Sequence, residues 1–135
     1  IISLIFAMLS KATLNGPIIG GIFTVVGFSA LGKHPRNSIP VIIGVFLGNL
    51  IIPEMDTTTF VISGLYGTTL APIAGKFGPA AGIAAGFLHS FTVMNVGIIH
   101  GGMNLYNNGF SGGIIAAILV PLINSIKKGE NANEV

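Results

Sequence analysis

The chain has 135 residues, of which 51% are apolar and 7% charged, and its mean hydropathy is +0.86. A soluble domain carries about 25% charged residues, so six basic and four acidic side chains cannot clothe a 13.9 kDa globule in water. A secreted enzyme, a nucleic-acid binder and a disordered chain are excluded as leading readings, and the absence of Cys excludes disulfides, zinc–thiolate sites and Cys nucleophiles.

The charges (Lys11, Lys33, Arg36, Glu54, Asp56, Lys76, Lys127, Lys128, Glu130 and Glu134) delimit uncharged runs at 12–32, 37–53, 57–75 and 77–126. A helix needs about 20 apolar residues to cross a hydrocarbon core of roughly 30 Å. Three runs are each about one span long, and the fourth is long enough for two. Buried helices of a large soluble protein would alternate with charged ones, and these do not. The expected architecture is all-α: a polytopic transmembrane helix bundle of about five hydrophobic segments over 1–126, some short, broken or re-entrant. A polar C-terminal tail, 127–135, follows it.

In chain order, 1–10 is half a span that stops at Lys11, and with no Met at its start the simplest reading is the C-terminal part of a longer protein. Segments 18–32 and 39–52 are short for a span, the latter bracketed by Pro40 and Pro53, so tilted, interfacial or re-entrant placements are expected. Segments 57–75, 79–99 and 110–126 follow, and the tail KKGENANEV reads as a disordered terminus. If each segment crosses once, Lys33, Arg36, Lys76, Lys127 and Lys128 share one side with the C-terminus. The positive-inside rule makes that side cytoplasmic and puts Glu54 and Asp56 outside. Lys11 then lies outside and fits badly; a re-entrant 12–32 would bring it in.

Two polar stretches interrupt the apolar pattern: Leu14-Asn15-Gly16-Pro17 and Asn104-Leu105-Tyr106-Asn107-Asn108-Gly109. Asn-Gly and Gly-Pro form turns, so each is a candidate break before a helix N-terminus, where free N–H groups bind polar ligands. Transporters build substrate sites from such discontinuous helices; an ordinary extramembrane turn is the other reading. At the second stretch the chain is expected to stop and restart near Phe110, with Asn108 or Ser111 near the cap. The patterns N-G-x-x-x-G-G (15–21) and N-G-x-x-G-G (108–113) also suggest half of an internal repeat.

His89 lies in the middle of segment 79–99 and should face the bundle interior, bonded to a polar group of another segment. His89 and His100 without nearby acids or Cys make a poor metal site, so no metal or cofactor is expected. No Asp or Glu falls inside a segment, which favours a neutral solute or a passive route. Gly44-x-x-x-Gly48, Gly82-x-x-x-Gly86 and Gly109-x-x-x-Gly113 are spacings that let helices approach closely.

The segments LNGPIIGGIFTVVGFSALGKHPRN (14–37), LYGTTLAPIAGKFG (65–78) and HGGMNLYNNGFSGG (100–113) resemble an uncharacterised family of bacterial multi-pass membrane proteins, catalogued as a domain of unknown function. The resemblance implies a membrane location, many helices and a chain that is the C-terminal part of longer members; it brings no activity. More faintly, Asn15-Gly16-Pro17 and Leu105-Tyr106-Asn107-Asn108-Gly109 are similar to pore-side segments of urea transporters.

The expected function is part of a channel or transporter for a small neutral polar solute, bound by Asn15, Asn104, Asn107, Asn108, Ser111 and His89. A non-transporting membrane scaffold or partner-binding subunit is the alternative, and an enzyme is not expected. The expected partners are the lipid bilayer, an upstream half of the same protein or another membrane subunit, and a second copy in a homo-oligomer, but no nucleic acid.

Overall fold

The computed structural model describes residues 1–52, 55–99, 101 and 104–133, without the side chains of 104–106 and 130–133. Seven α-helices make up the fold, and no strand occurs among the described residues. They are α1 (Ile2–Leu9), α2 (Gly16–Ser29), α3 (Pro35–Ile51), α4 (Thr57–Gly67), α5 (Ala71–Phe77), α6 (Pro79–Asn95) and α7 (Asn104–Asn133). A 3₁₀ turn, Thr68–Leu70, joins α4 to α5, and another, Val96–Ile98, extends α6. Two segments, Pro79–Ile98 and Asn107–Gly129, are long and apolar enough to cross a membrane; Gly16–Ser29 and Pro35–Ile51 are shorter apolar helices.

Local chemistry sets several helix starts. Asn15 caps α2 through its Oδ1, which accepts the Ile18 N–H at 3.0 Å, and Pro17 occupies the first turn, where a missing N–H costs nothing. Asp56 caps α4 by accepting the N–H groups of Thr58 and Thr59. His34 and Asn37 close a reciprocal cap on α3. Pro40 lies inside α3 and does not bracket it, so this helix is longer than its hydrophobic run suggested.

The contacts fix helix directions. In α3 and α6 the glycines let the two backbones touch: a Cβ on Gly44 would strike the Ile83 carbonyl and one on Gly86 the Val41 carbonyl, while one on Gly48 would lie 2.6 Å from Ser90 Oγ. Residue numbers rise together along this contact, so α3 and α6 run parallel. Along α2 and α4, Asn15 meets Thr58 and Gly21 meets Leu65, so these too are parallel. Gly112 of α7 faces Thr69, and Lys127 lies over the Phe77 ring, which aligns α7 with α4 and α5. Two opposed sets result: α2, α4–α5 and α7 point one way, α3 and α6 the other. α2 thus runs alongside α4 from one end of the bundle to the other and does not turn back.

Two cores hold the helices together. Ile18, Val45, Phe60, Val61 and Leu65 form one, joined by Phe6 of α1, whose ring packs edge-on to Phe60 at 5.3 Å. Val41, Leu70, Ile73, Ala85, Ile115 and Leu119 form the other. The outside is apolar as well: Phe23, Val26, Phe46, Leu50, Ile98, Ile118 and Leu122 are exposed, the reverse of a water-facing surface.

Four expectations change. Residues 107–109 do not break the chain; they lie inside one continuous helix, because Asn108 finds its partner across the bundle and has no need of a turn. The interruption falls instead at 68–70, within what read as one segment at 57–75. The helix α7 runs past Ile126 to Asn133, where a disordered tail was expected. With Asn15 at a cap and Asn108 in mid-helix, the two Asn-Gly stretches are not structural equivalents, and the third glycine spacing is idle, since a Cβ on Gly109 or Gly113 would meet nothing within 4 Å.

Candidate functional site

The centre of the bundle is polar. His89 of α6 is 0% exposed, and α7 supplies both its partners, Asn108 (3% exposed) and Ser111 (0% exposed). Asn108 Oδ1 lies 3.2 Å from His89 Nε2, and Ser111 Oγ lies 2.9 Å from Nδ1. Ser111 Oγ is also placed to donate to the His89 backbone carbonyl at 3.2 Å. The ring lies flat against α4, at the point where that helix gives way: a Cβ on Gly67 would come within 3.0 Å of His89 Cδ2. Gly67 therefore makes room for the imidazole. One turn back on α4, the buried Ser63 hydroxyl has no hydrogen-bond partner.

Asn108 belongs also to the wall of a cavity of about 180 Å³, lined by Pro17, Asp56, Thr58, Thr59, Ile62, Val93, Asn107 and Asn108. The starts of α2 and α4 form its rim. Asn107 Oδ1 is buried without a hydrogen-bond partner. Hydrogen bonding by the Thr59 hydroxyl holds the Asp56 carboxyl below its usual range; the Thr58 and Thr59 amides add to this, against a small desolvation. The cavity thus offers a carboxylate, two Thr side chains and two amides, beside apolar walls.

Of the residues singled out from sequence, His89, Asn108 and Ser111 converge, and Asn107 stands beside them in the cavity wall. Asn15 caps α2 at the same end, with its Nδ2 donating to Thr58 Oγ1 at 3.4 Å, and so acts on the cavity through Thr58. The side chain of Asn104 lies outside the described residues, as does His100. No group of three metal-ligating side chains occurs among the described residues.

Sequence reasoning missed the opposite end. Lys33 Nζ donates to Thr68 Oγ1 at 2.8 Å and lies 5.0 Å from the Phe28 ring centroid. Burial pushes its pKa down to about 8. It stands between two cavities, of about 270 and 290 Å³. Thr68 directly follows Gly67, so the unwound turn links the His89 cluster to this lysine. The pair Gly67 and Pro72 was the available signal, since both residues interrupt helices.

These features define an all-helical protein with an apolar exterior, two helices long enough to cross a membrane, and a dry imidazole–amide–hydroxyl cluster beneath a polar cavity. Residues 1–125 match the family model described as a protein of unknown function (DUF1576), and the chain belongs to that family. No curated protein and no solved structure matches it.

Proposed function

We propose that the protein is a multi-pass membrane channel or transporter for a small neutral polar solute. The observation that carries this reading is the cavity at the Asp56 end, whose floor residue Asn108 is bonded to the central His89. An amide-bearing wall supplies donors and acceptors together, which suits a solute that needs both, such as urea or a simple amide. The α4–α5 element has its non-helical turn beside His89, and irregular backbone at membrane depth is tolerated where it lines a cavity or packs on protein. Exposed Leu, Ile and Phe face the lipid bilayer, and the remaining surface serves an upstream half of the protein, another membrane subunit or a second copy.

Helix direction and charge agree on orientation. Lys33, Lys76 and Lys127 gather at one end through Thr68 and the Phe77 ring, and Asp56 lies at the other. The positive-inside rule then assigns the Lys33 end and the C-terminus to the cytoplasm. The test is solute flux in proteoliposomes, with urea and acetamide as probes. N108L should abolish flux while the protein still elutes as a folded species. Flux equal to that of the unsubstituted protein would remove Asn108 from the route and favour a non-transporting scaffold.

A further inference from the structure

A histidine that only ties two helices together is held in one protonation state. It gives one N–H to a fixed acceptor, such as a carbonyl or a carboxylate, and that bond selects the tautomer. His89 is held differently. Its Nδ1 faces a hydroxyl and its Nε2 faces a primary amide, and each of these groups can donate or accept.

The geometry gives each state of the ring a full set of partners. With the proton on Nε2, that N–H donates to Asn108 Oδ1, and the Ser111 hydroxyl donates to Nδ1. With protons on both nitrogens, Nε2–H keeps Asn108, Nδ1–H donates to Ser111 Oγ, and the Ser111 hydroxyl turns to the His89 carbonyl, 3.2 Å away. With the proton on Nδ1 alone, Ser111 stays turned to the carbonyl and Asn108 offers its amide N–H to Nε2. One hydroxyl rotation and one amide rotation interconvert all three.

Nothing nearby traps the proton. On α4 the ring meets Gly67, and the charged residue of that helix end, Asp56, lies across the cavity. On α7 its neighbours are Asn108 and Ser111, and the cations Lys127 and Lys128 lie several turns on. From α3, Val45 packs beside Gly67, and Lys33 reaches only Thr68. No carboxylate contacts the ring among the described residues.

We propose that His89 carries protons through the bundle. The neutral ring takes a proton at Nε2 from hydronium in the Asp56-end cavity, leaving water. The imidazolium later gives up the Nδ1 proton to a water molecule, which restores a neutral ring as the other tautomer. The proposal rests on the reading of this cluster as part of a polar route, and it adds a proton to what that route carries.

The experiment is proton flux into vesicles loaded with a pH-reporting dye, driven by a potassium diffusion potential, with urea flux measured on the same preparations. The protein should raise proton flux above that of protein-free vesicles. H89Q and S111A should return it to that background, and S111T should restore it. A second measurement covers any variant that fails to fold: nitrogen-15 spectra of labelled His89 in bilayers. These should show both tautomers, and a charged ring on acidification from pH about 8 to about 5. A single tautomer unchanged over that range, or proton flux indifferent to H89Q, overturns the proposal. Urea flux that survives without proton flux overturns the proton step alone; loss of both in the unsubstituted protein overturns the solute reading with it.

Discussion

The ammonium of Lys33 and the hydroxyl of Thr68 meet at 2.8 Å, joining the loop before α3 to the unwound turn between α4 and α5. The bond places a lysine in a half-buried site, where its charge is costly. Folding lowers its pKa from 10.5 to about 8, so between these values the unfolded chain binds more protons than the folded one. Stability should therefore rise as pH increases through that interval. The melting temperature in detergent should climb from pH 8 towards pH 10.5, and K33M should remove the climb. A slope unchanged in K33M would refute the assignment.

The glycines of α3 and α6 differ sharply in consequence from those of α7. G86A should cost at least about 1–3 kcal/mol, because a methyl group there meets the Val41 backbone and neither helix can yield without moving whole. G113A should stabilise by roughly 0.5–1 kcal/mol, since its site is open and Ala favours the helix. Thermal unfolding of the two variants side by side measures both, and equal effects would contradict the packing.

At the Asp56 end, two caps can be removed separately. N15A should cost about 1 kcal/mol by freeing the Ile18 N–H, and N15D should keep most of it. Asp56 accepts bonds as a carboxylate, so its contribution is full above pH 3.8 and declines as pH falls through its lower folded value. D56N should flatten that acid limb in a pH series of melting temperatures.

Orientation is open to a labelling test. Arg36 and Thr57 are exposed at the two ends of the bundle. In right-side-out vesicles, an impermeant thiol reagent should reach R36C and T57C from opposite sides, T57C from the outside. Labelling of both from one side would refute the alternation of helix directions as membrane crossings.

What could be read from the sequence depended on range. The Asn15 cap acts over three residues, and the glycine spacings of α3 and α6 are properties of single helices, so both were legible. The interior placement of His89 followed from the cost of an unbonded imidazole in an apolar medium. Asn107 and Asn108 misled because turn chemistry is a local preference, and the bond from Asn108 to His89 spans 19 residues. The burial of Lys33 was invisible for the same reason, since Thr68 lies 35 residues away. The continuation of α7 beyond Ile126 had no apolar signal to announce it.

The direct backbone contact between α3 and α6 has a mechanical consequence. Sliding either helix by one residue would drive a side chain into the other's carbonyl groups, so the pair moves as a single strut or not at all. The compliant part of the molecule is then the opposed set, where α4 ends at Gly67 and α5 begins afresh at Ala71. Any working stroke of this protein is a flexing at the Thr68 turn against a fixed rail, with His89 mounted on the rail and Ser111 and Asn108 on the part that moves.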